Sequence, residues 1–530
     1  MVPLALALTL VACGPGDTDD DPGAAPPAPS GEESRTLTGS FESVPPGMDP
    51  ADRANLHHFA FSPVLSQLVI FSPGEGEQFA PVREMTPDLA ESWTREDDGS
   101  ITFHLRETVS PAGNPLTSED VKWSVERTLE LNTISQIVWS AVGGDPDEPV
   151  TVVDDSTVRL NSVTGNESLL GAAAIFEFGI IDSVAALEHA SADDPWAAEW
   201  MRTNLPSFGA YTLESFDPDT EAVYVANPDY WNASEVYFDR VVNRAVSDPS
   251  TLVALMQAGE LDFGMPIPFS SLSTLESVDG ITLDTSPTMV MTQINLDLRT
   301  GPFADAAVRR AVSMGLDREV INQGAYAGFG TPASGVATRA LTGATEPIDS
   351  LVYDPDAARA ALASAGYPDG FEFTLSYSAQ GPYATEQSAV AQLVQQQLAE
   401  VGVTVELNPV ATPAEYSQGS SEHLYEATIG TQGPLLPDIH YLVGLRWAVE
   451  ESLISPGFHN DDLLALNTEA VEASGDDRAA VLDEMLSFAN EELPVIPLVD
   501  LPNQWSLREG IAGTFVNGGQ TIYPQMMYRE

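Results

Sequence analysis

Strand patterns and helix patterns alternate along most of this chain, and this alternation constrains its fold more than any other feature. The segment 100–107 alternates apolar and polar residues, as a half-buried strand does. Segments 151–160 and 211–226 each contain two such runs around a short acidic turn, which predicts two hairpins. A helix predicted over 385–400 leads into a strand at 403–407. Strands that alternate with helices favour an α/β protein with partly parallel sheets.

Capping residues predict where several helices begin. Thr117 and Asp120 stand three residues apart, as in a capping box, and predict a helix that runs through about Leu131. Asp followed by Pro at 248–249, and again at 354–355, predicts two further helices, each of which ends at a nearby glycine. These local signals therefore predict three helix starts.

The basic pair Arg309 and Arg310 lies in another helix pattern. The apolar residues of 307–312 recur at helical spacing and define the buried face of that helix. Because charged side chains seldom stay buried, we expect both arginines to face solvent.

The charge balance excludes several classes of function. The 530 residues carry 79 acidic and 21 basic side chains, which gives a formal net charge of −58. Such a chain repels phosphate backbones, so we expect no nucleic acid as a partner. The one lysine, Lys122, does not stand in a phosphate-binding loop, which excludes nucleotide hydrolysis by that route. A single cysteine excludes a disulfide framework and a thiolate metal cluster.

The first residues have the pattern of an export signal. Residues 1–12 form an apolar run that is too short to span a bilayer and ends directly before Cys13. This pattern resembles the lipobox of bacterial lipoproteins, although no basic residue precedes the apolar run. The resemblance implies a signal peptide over 1–13 and lipidation of Cys13. The acidic and proline-rich segment 14–34 is then expected to be a disordered tether.

Nine segments, taken in order, resemble the extracytoplasmic solute-binding proteins of family 5, the peptide and nickel type of ABC importer receptor. No single segment is decisive, but their shared order is very hard to obtain by chance. They cover most of the chain after about residue 41 and lie at 87–93, 97–107, 113–129, 209–218, 227–232, 239–263, 294–321, 353–370 and 494–498.

The resemblance implies an α/β, bilobal periplasmic-binding-protein fold of class II, the peptide-binding type, with two hinged lobes. A subdomain of about 66–202 would be inserted into the first lobe, and the second lobe would cover 287–495. Two strands near 284–290 and 495–500 would form the hinge, and the ligand would lie between the lobes. The discontinuous first lobe would comprise 35–65, 203–286 and 496–530.

The resemblance also points to ligand-binding residues. In peptide-binding members, an aspartate of the second lobe pairs with the peptide's α-ammonium, and 430–447 occupies the place of its loop. Asp438 is the matching residue, which implies a buried ionic contact with a free amine. From the residues alone, Asp438 could instead cap a helix that begins at Ile439. The other pocket candidates nearby are His440, Tyr441, Trp447 and Arg446, the last as a partner for a peptide carboxylate.

Two more segments are candidate walls of the cleft. The apolar and aromatic segment 55–71 contains His57 and the ligand candidate His58, which would point to opposite faces of a strand. The two rings would not easily ligate one metal together, so we predict no metal site and no cofactor. In the strand 289–298, Asn295 either lines the cleft or is a structural residue at the end of a sheet.

These observations favour a monomeric binding protein that carries out no chemistry. It would capture a peptide by hinge closure and deliver it to the permease and ATPase subunits of an ABC importer. It would be lipid-anchored to the outer face of the cell membrane, or periplasmic. One alternative keeps the fold but binds a nickel chelate, an oligosaccharide or another small molecule. An alternative of another class is a secreted hydrolase, although no carboxylate pair stands in a recognisable catalytic spacing.

Overall fold

The computed structural model describes residues 35–41, 47–52, 58–72, 85–218, 220–381, 383–449, 452, 454–514 and 522–530, without the side chains of Phe41, His58, Phe59 and Thr133. The predicted signal peptide 1–13 with Cys13, the predicted tether 14–34 and His57 lie outside the described residues. Among the described helices, none combines the length and the apolar character that a membrane span requires.

A seven-stranded mixed sheet forms the first of two large layers, which we call the first lobe. Its central strand, Thr36–Phe41, pairs in parallel with Arg240–Ala245 and with Phe263–Gly264. The remaining pairs are antiparallel and include the predicted hairpin near 211–226. In spatial order the strands are Ile281–Asp284, Trp505–Arg508, Phe263–Gly264, Thr36–Phe41, Arg240–Ala245, Glu221–Ala226 and Tyr211–Asp217.

A six-stranded mixed sheet forms the second layer, which we call the second lobe. Phe371–Ser378 pairs in parallel with Val403–Val410 and Ala427–Gln432, while Pro287–Leu296 pairs antiparallel with both of its neighbours. The prediction of partly parallel sheets is therefore confirmed. In spatial order the strands are Thr331–Pro332, Val495–Pro502, Pro287–Leu296, Ala427–Gln432, Phe371–Ser378 and Val403–Val410.

Residues 85–208 lie along the chain between the strands Thr36–Phe41 and Tyr211–Asp217 of the first lobe, and we call them the inserted part. They build a separate small sheet. The strands Ala90–Arg95, Ile101–Leu105, Thr157–Leu160 and Val150–Asp154 form this antiparallel sheet, which includes the predicted hairpin near 151–160. Alternate residues such as Ile101 and Phe103 face an apolar core of their own. Two short ladders complete the strands, Val69–Phe71 with Met85–Pro87 and Ile511–Ala512 with Tyr528–Arg529.

The chain passes between the two large sheets twice within the described residues. It leaves the first lobe after Asp284 and enters the second at Pro287. It returns between Pro502 and Trp505, because the whole buried strand Val495–Pro502 belongs to the second sheet. The return therefore lies a few residues beyond the boundary that was expected at 496. The hinge is the place where these two passages run side by side.

Each predicted helix start is confirmed. The capping box of Thr117 and Asp120 is present at the start of the helix Ser118–Leu131, and Asp248 and Asp354 accept N–H groups of the first turns that follow them. The described α-helices are His58–Phe61, Ser118–Leu131, Thr133–Ala141, Leu169–Ala172, Ser183–Leu187, Ala198–Met201, Pro249–Ala258, Phe269–Glu276, Ala306–Met314, Arg318–Tyr326, Arg339–Thr342, Pro355–Ser364, Ala384–Glu400, Pro413–Ser421, Asp461–Glu472 and Gly475–Glu492.

The expectation that Arg309 faces solvent is wrong. Arg309 is only 3% exposed and donates hydrogen bonds to the carbonyl oxygens of Leu493 and Phe303, each over 2.9 Å. The carbonyls at the end of the helix Gly475–Glu492 have no partners within that helix, and the guanidinium satisfies them. Arg310 is half-buried and bonds to Glu491 O in the same way. Helical spacing alone does not reveal such a partner.

A buried ion pair holds the inserted part against the first lobe. The guanidinium of Arg127 meets the carboxylate of Asp49 through two parallel hydrogen bonds of 2.8 and 2.6 Å. Arg127 is fully buried, and its Nε donates to Trp196 O over 3.0 Å. A two-pronged pair of this kind fixes orientation as well as distance. The inserted part is therefore held in a defined orientation on the first lobe.

Candidate functional site

The second lobe meets the inserted part through the segment that follows the strand Ala427–Gln432. Leu436 and Tyr441 of this segment are buried in the apolar core of the inserted part. The backbone of His440–Gly444 forms a π-helical turn, a rare conformation that is frequent at functional sites. We call this contact the junction, and we define it as residues 435–447 with Arg478 on one side and the loop 166–168 on the other.

Asp438 lies at the centre of the junction. Its Oδ2 accepts a hydrogen bond from Arg478 Nη2 over 2.9 Å, and a second one from Ser168 Oγ, in the inserted part, over 2.8 Å. Its Oδ1 accepts the backbone N–H of His440 over 2.7 Å. The carboxylate thus caps the turn that follows it, which is the alternative that the residues alone left open. It also connects the second lobe to the inserted part.

The charge of Asp438 is balanced within the protein. Burial by itself would raise the pKa of this carboxyl group, but the Arg478 guanidinium, the adjacent His440 and the donated hydrogen bonds outweigh burial and lower the pKa below its ordinary value of 3.8. The carboxylate is therefore ionised at neutral pH. Because Arg478 already neutralises it, no ligand ammonium is required for that purpose.

The loop 166–168 supplies two further contacts across the junction. Asn166 Nδ2 lies 3.3 Å from His440 Nδ1, and Glu167 Oε1 accepts the backbone N–H of Gly475 over 3.2 Å. Burial lowers the pKa of His440, and Arg478 acts in the same direction, while Asp438 opposes both. The imidazole is therefore neutral at neutral pH. The junction consists of one buried ion pair surrounded by further hydrogen bonds, one of which is accepted by the Glu167 carboxylate.

Tyr441 and Trp447, both predicted to line a pocket, are buried in apolar surroundings. Tyr441 is 6% exposed within the core of the inserted part, and burial raises the pKa of its hydroxyl group. Trp447 is fully buried in the core of the second lobe, where its indole N–H donates to Ser455 Oγ over 3.3 Å. In this arrangement both rings pack the walls around the junction.

Arg446 differs from Arg478, the other arginine of the junction, because no described carboxylate pairs with it. The side chain is half-buried. Across the described ranges, no carboxylate lies within ion-pair distance of its guanidinium and no group accepts a hydrogen bond from it. Burial lowers its pKa to about 10, with Tyr441 acting in the opposite direction, so the group stays cationic at neutral pH. Arg446 is therefore a cation available for an anionic partner.

The other predicted site residues do not lie at the junction. The backbone of His58 begins the short helix His58–Phe61, so His58 is not on a strand as was considered. Asn295 lies in the strand Pro287–Leu296, where its Oδ1 accepts a hydrogen bond from Gln293 Nε2 over 2.7 Å. It lines a cavity within the second lobe. Among the residues whose placement is described, no group of three or more histidine, cysteine or acidic side chains could hold a metal ion.

The family model of the bacterial extracellular solute-binding proteins, family 5 (middle part), matches residues 84–447. The chain belongs to this family. The matched range includes the loop 166–168 and the segment 435–447. The family is one of solute-binding proteins and not of enzymes, in agreement with the prediction that this chain binds a solute without transforming it.

Individual members of the family extend the comparison. The glutathione-binding protein GsiB of Escherichia coli (strain K12) is 30% identical over 324 residues, and the aligned stretch spans 60% of this chain and 60% of GsiB. CtaP from Listeria monocytogenes, an ABC transporter substrate-binding protein, superposes with a TM-score of 0.79 at 20% identity, over 94% of this chain and all of its own. DppA from Helicobacter pylori, solved with the peptide STSA, gives a TM-score of 0.76 at 20% identity, over 93% of this chain and 98% of its own.

The structural likenesses confirm the predicted fold, an α/β, bilobal periplasmic binding protein. The sequence analysis did not identify four polar residues of the junction, namely Asn166, Glu167, Ser168 and Arg478. Arg478 follows two acidic residues in a helix and has the pattern of an exposed charge. Ser168 lies 270 residues from Asp438 along the chain, and no local pattern connects the two.

Proposed function

We propose that this family 5 protein captures a small peptide between its two lobes and delivers it to the permease of an ABC importer. The observation that carries the proposal is the junction, where the second lobe meets the inserted part through polar groups around Asp438 and through the apolar side chains of Leu436 and Tyr441. Contacts of this kind can form and break as two hinged lobes close and open. The names of relatives add support, since GsiB is a glutathione-binding protein and the DppA structure contains a peptide.

Arg446 is the residue that we propose as the charged contact to the ligand. A half-buried guanidinium without an acidic partner is well suited to a carboxylate, which it can bind through two parallel hydrogen bonds. Asp438 was the first candidate from the family resemblance, as a partner of the peptide's ammonium. Its pairing with Arg478 leads us to propose instead that it acts through the junction, by holding the lobes together around the ligand.

The role of Arg446 is tested by isothermal titration calorimetry with trialanine, its C-terminal amide and glutathione. For the wild-type protein we expect the free acids to bind at least tenfold more tightly than the amide. Arg446→Met should weaken binding of the free acids by tenfold or more and leave the amide unaffected. Arg359→Met removes an exposed arginine and is the matched control. Equal affinities for the free acid and the amide would show that Arg446 does not bind the carboxylate of the ligand.

The two roles considered for Asp438 give different results with an N-acetylated peptide. If Asp438 acts through the junction, Asp438→Asn should weaken binding of free and acetylated trialanine by the same factor. If it pairs with the ligand's ammonium, the variant should lose affinity for the free amine alone.

Native mass spectrometry of protein purified from its own host adds a direct measurement of ligand mass. A nickel chelate or an oligosaccharide found there would replace the peptide in our proposal.

Attachment to the membrane through Cys13 belongs to the same proposal. The apolar run before this cysteine and the acidic, proline-rich segment after it support a lipid anchor followed by a tether. The protein would then lie on the outer face of the cell membrane, where it meets the permease and its ATPase subunits. Cys13→Ser should release the protein from washed membranes into the soluble fraction, as followed by immunoblotting. Retention on the membrane would place the anchor elsewhere.

A further inference from the structure

The cavity lined by Asn295 lies entirely within the second lobe, apart from the junction. It has a volume of about 470 Å³, within the usual range of small-molecule sites. Its floor is the face of the sheet formed by Pro287–Leu296 and Ala427–Gln432, and the helix Pro413–Ser421 forms one wall. The lining residues include Asn295, Tyr416, Ser417, Thr428, Thr431 and Gln432.

The lining is mostly neutral and offers both donors and acceptors. Amide groups come from Asn295 and Gln432, and hydroxyl groups from Ser417, Thr428 and Thr431. The Nε2 atom of Gln432 is buried and has no hydrogen-bond partner within the described protein. A buried amide donor without a partner is costly, so the Gln432 amide would gain by turning toward an acceptor that a ligand brings into the cavity.

Aromatic and charged groups narrow the choice of ligand. The rings of Tyr416 and Tyr425 stack with centroids 6.1 Å apart, and the Tyr416 hydroxyl is fixed by a 2.7 Å hydrogen bond to Ile429 O. The one carboxylate of the lining, Asp297, is ion-paired with Arg299 over 2.7 Å. No unpaired cation lies among the lining residues of this cavity that the structure describes. A charged peptide terminus would therefore lack a counterion here.

We propose that this cavity binds a neutral polyhydroxylated solute of the size of a monosaccharide or disaccharide. Hydroxyl groups both donate and accept, which matches the mixed amide and hydroxyl lining. The C–H faces of a sugar ring would pack on the tyrosine rings. Because every lining residue belongs to the second lobe, binding does not require the lobes to close, in contrast to the proposed peptide site.

The proposal is tested by saturation-transfer difference NMR and calorimetry with glucose, maltose, cellobiose and trehalose as probes. We expect at least one of the four to bind with a measurable Kd. Gln432→Leu should weaken this binding by tenfold or more. Gln418→Leu, on an exposed position of the adjacent helix and outside the lining, is the matched control. No binding of any of the four probes would overturn the proposal, as would an unchanged Kd in Gln432→Leu.

A cavity-blocking variant and a competition experiment distinguish this cavity from the proposed peptide site. Ser417 is exposed at the cavity's edge, so Ser417→Trp should block the cavity without disturbing the fold, which thermal melting verifies. Saturating trialanine should leave the sugar Kd unchanged. Displacement of the sugar by trialanine would show that one site serves both ligands and would overturn this inference, while the proposed peptide function would stand.

Discussion

Two of the described contacts between the lobes, the hinge and the junction, are built from different chemistry. At the hinge, the passages are tied by neutral hydrogen bonds, from Asn503 to Ser286 over 2.8 Å (backbone) and 2.7 Å (side chains). Across the hinge, the rings of Phe269 and Tyr326 pack edge to face with centroids 5.1 Å apart. At the junction, Ser168 of the inserted part bonds to both members of a buried ion pair within the second lobe, Asp438 and Arg478. The hinge contacts named here involve neutral groups, whereas the junction depends on charge.

Two buried aspartates, Asp438 at the junction and Asp500 near the hinge, show the same difference in charge balance through their pKa values. Asp438 at the junction has a cation beside it, and its pKa is lowered. Asp500, in a strand that leads to the hinge, accepts the backbone N–H of Arg339 over 2.8 Å. For Asp500, burial outweighs that hydrogen bond and the charge of Arg339, and raises the pKa to about 7. Burial raises the pKa of both carboxyl groups. At Asp438, the paired Arg478 guanidinium, with the hydrogen bonds, outweighs burial and lowers the pKa.

The contrast has opposite consequences for the pH dependence of stability. A carboxyl group whose pKa is lowered on folding stabilises the fold above its ordinary pKa of 3.8, and this contribution is lost as the pH falls through the lowered value. A carboxyl group whose pKa is raised binds its proton more tightly in the folded state. For Asp500, stability is therefore lost as the pH rises from 3.8 to about 7.

The largest effect is expected from Arg478→Met. It leaves the Asp438 carboxylate buried without its cation, a change that typically costs about 3–5 kcal/mol. We expect a lower free energy of unfolding in denaturant titrations and a larger radius of gyration by small-angle scattering. Arg359→Met, which removes an exposed pair with Asp356, should change stability by less than about 1 kcal/mol. Equal effects of the two variants would contradict the distinction between junction and surface.

Asp500→Asn should stabilise the protein, and only at high pH. The variant removes the cost of a buried charge, which we expect to be about 1–3 kcal/mol. Thermal melting should show a gain in Tm at pH 8 that disappears at pH 4.5, where the wild-type carboxyl group is protonated. Asp438→Asn is the comparison, and it should destabilise at both pH values. A gain that is independent of pH would show that titration of Asp500 is not its source.

Ser168→Ala should weaken the junction by about 1 kcal/mol, the usual contribution of one hydrogen bond. The Asp438 carboxylate keeps Arg478 and the His440 N–H, so the loss is smaller than for Arg478→Met. Small-angle scattering in the presence of ligand should show a small increase in the open population. Ser156→Ala, in an exposed hairpin turn, is the control. A change in scattering as large as that of Arg478→Met would mean that the serine, and not the ion pair, dominates the junction.

Ser286→Ala should have the smallest effect. It removes the side-chain hydrogen bond from Asn503 in the partly buried hinge, for which we expect about 0.5–1 kcal/mol in the free energy of unfolding. The backbone hydrogen bond between the two passages stays in place, so the scattering profile should be unchanged. A shift of the profile toward the open form would show that the hinge, like the junction, controls lobe separation.

Part of the fold was predictable because its signals are local. Thr117 with Asp120 caps a helix within a single turn, and Asp248 with Pro249 does the same. The resemblance to family 5, which rests on segments along the chain, supplied the bilobal arrangement. The candidate site was predicted only in part. Asp438 and Arg446 were named, but the partner of Asp438 was assigned to a ligand ammonium, whereas the structure places Arg478 there.

Local periodicity and the order of the segments thus determined the elements, the fold class and the family of this protein. Only the tertiary structure decided which charges are balanced. Ser168 and Arg478 meet although 310 residues separate them, and Arg309 is buried because helix-end carbonyls lie next to it. A charged residue looks the same in a sequence whether it is solvated, paired or free. Its role depends on burial and on the nearest opposite charge, and both are set by contacts between distant parts of the chain.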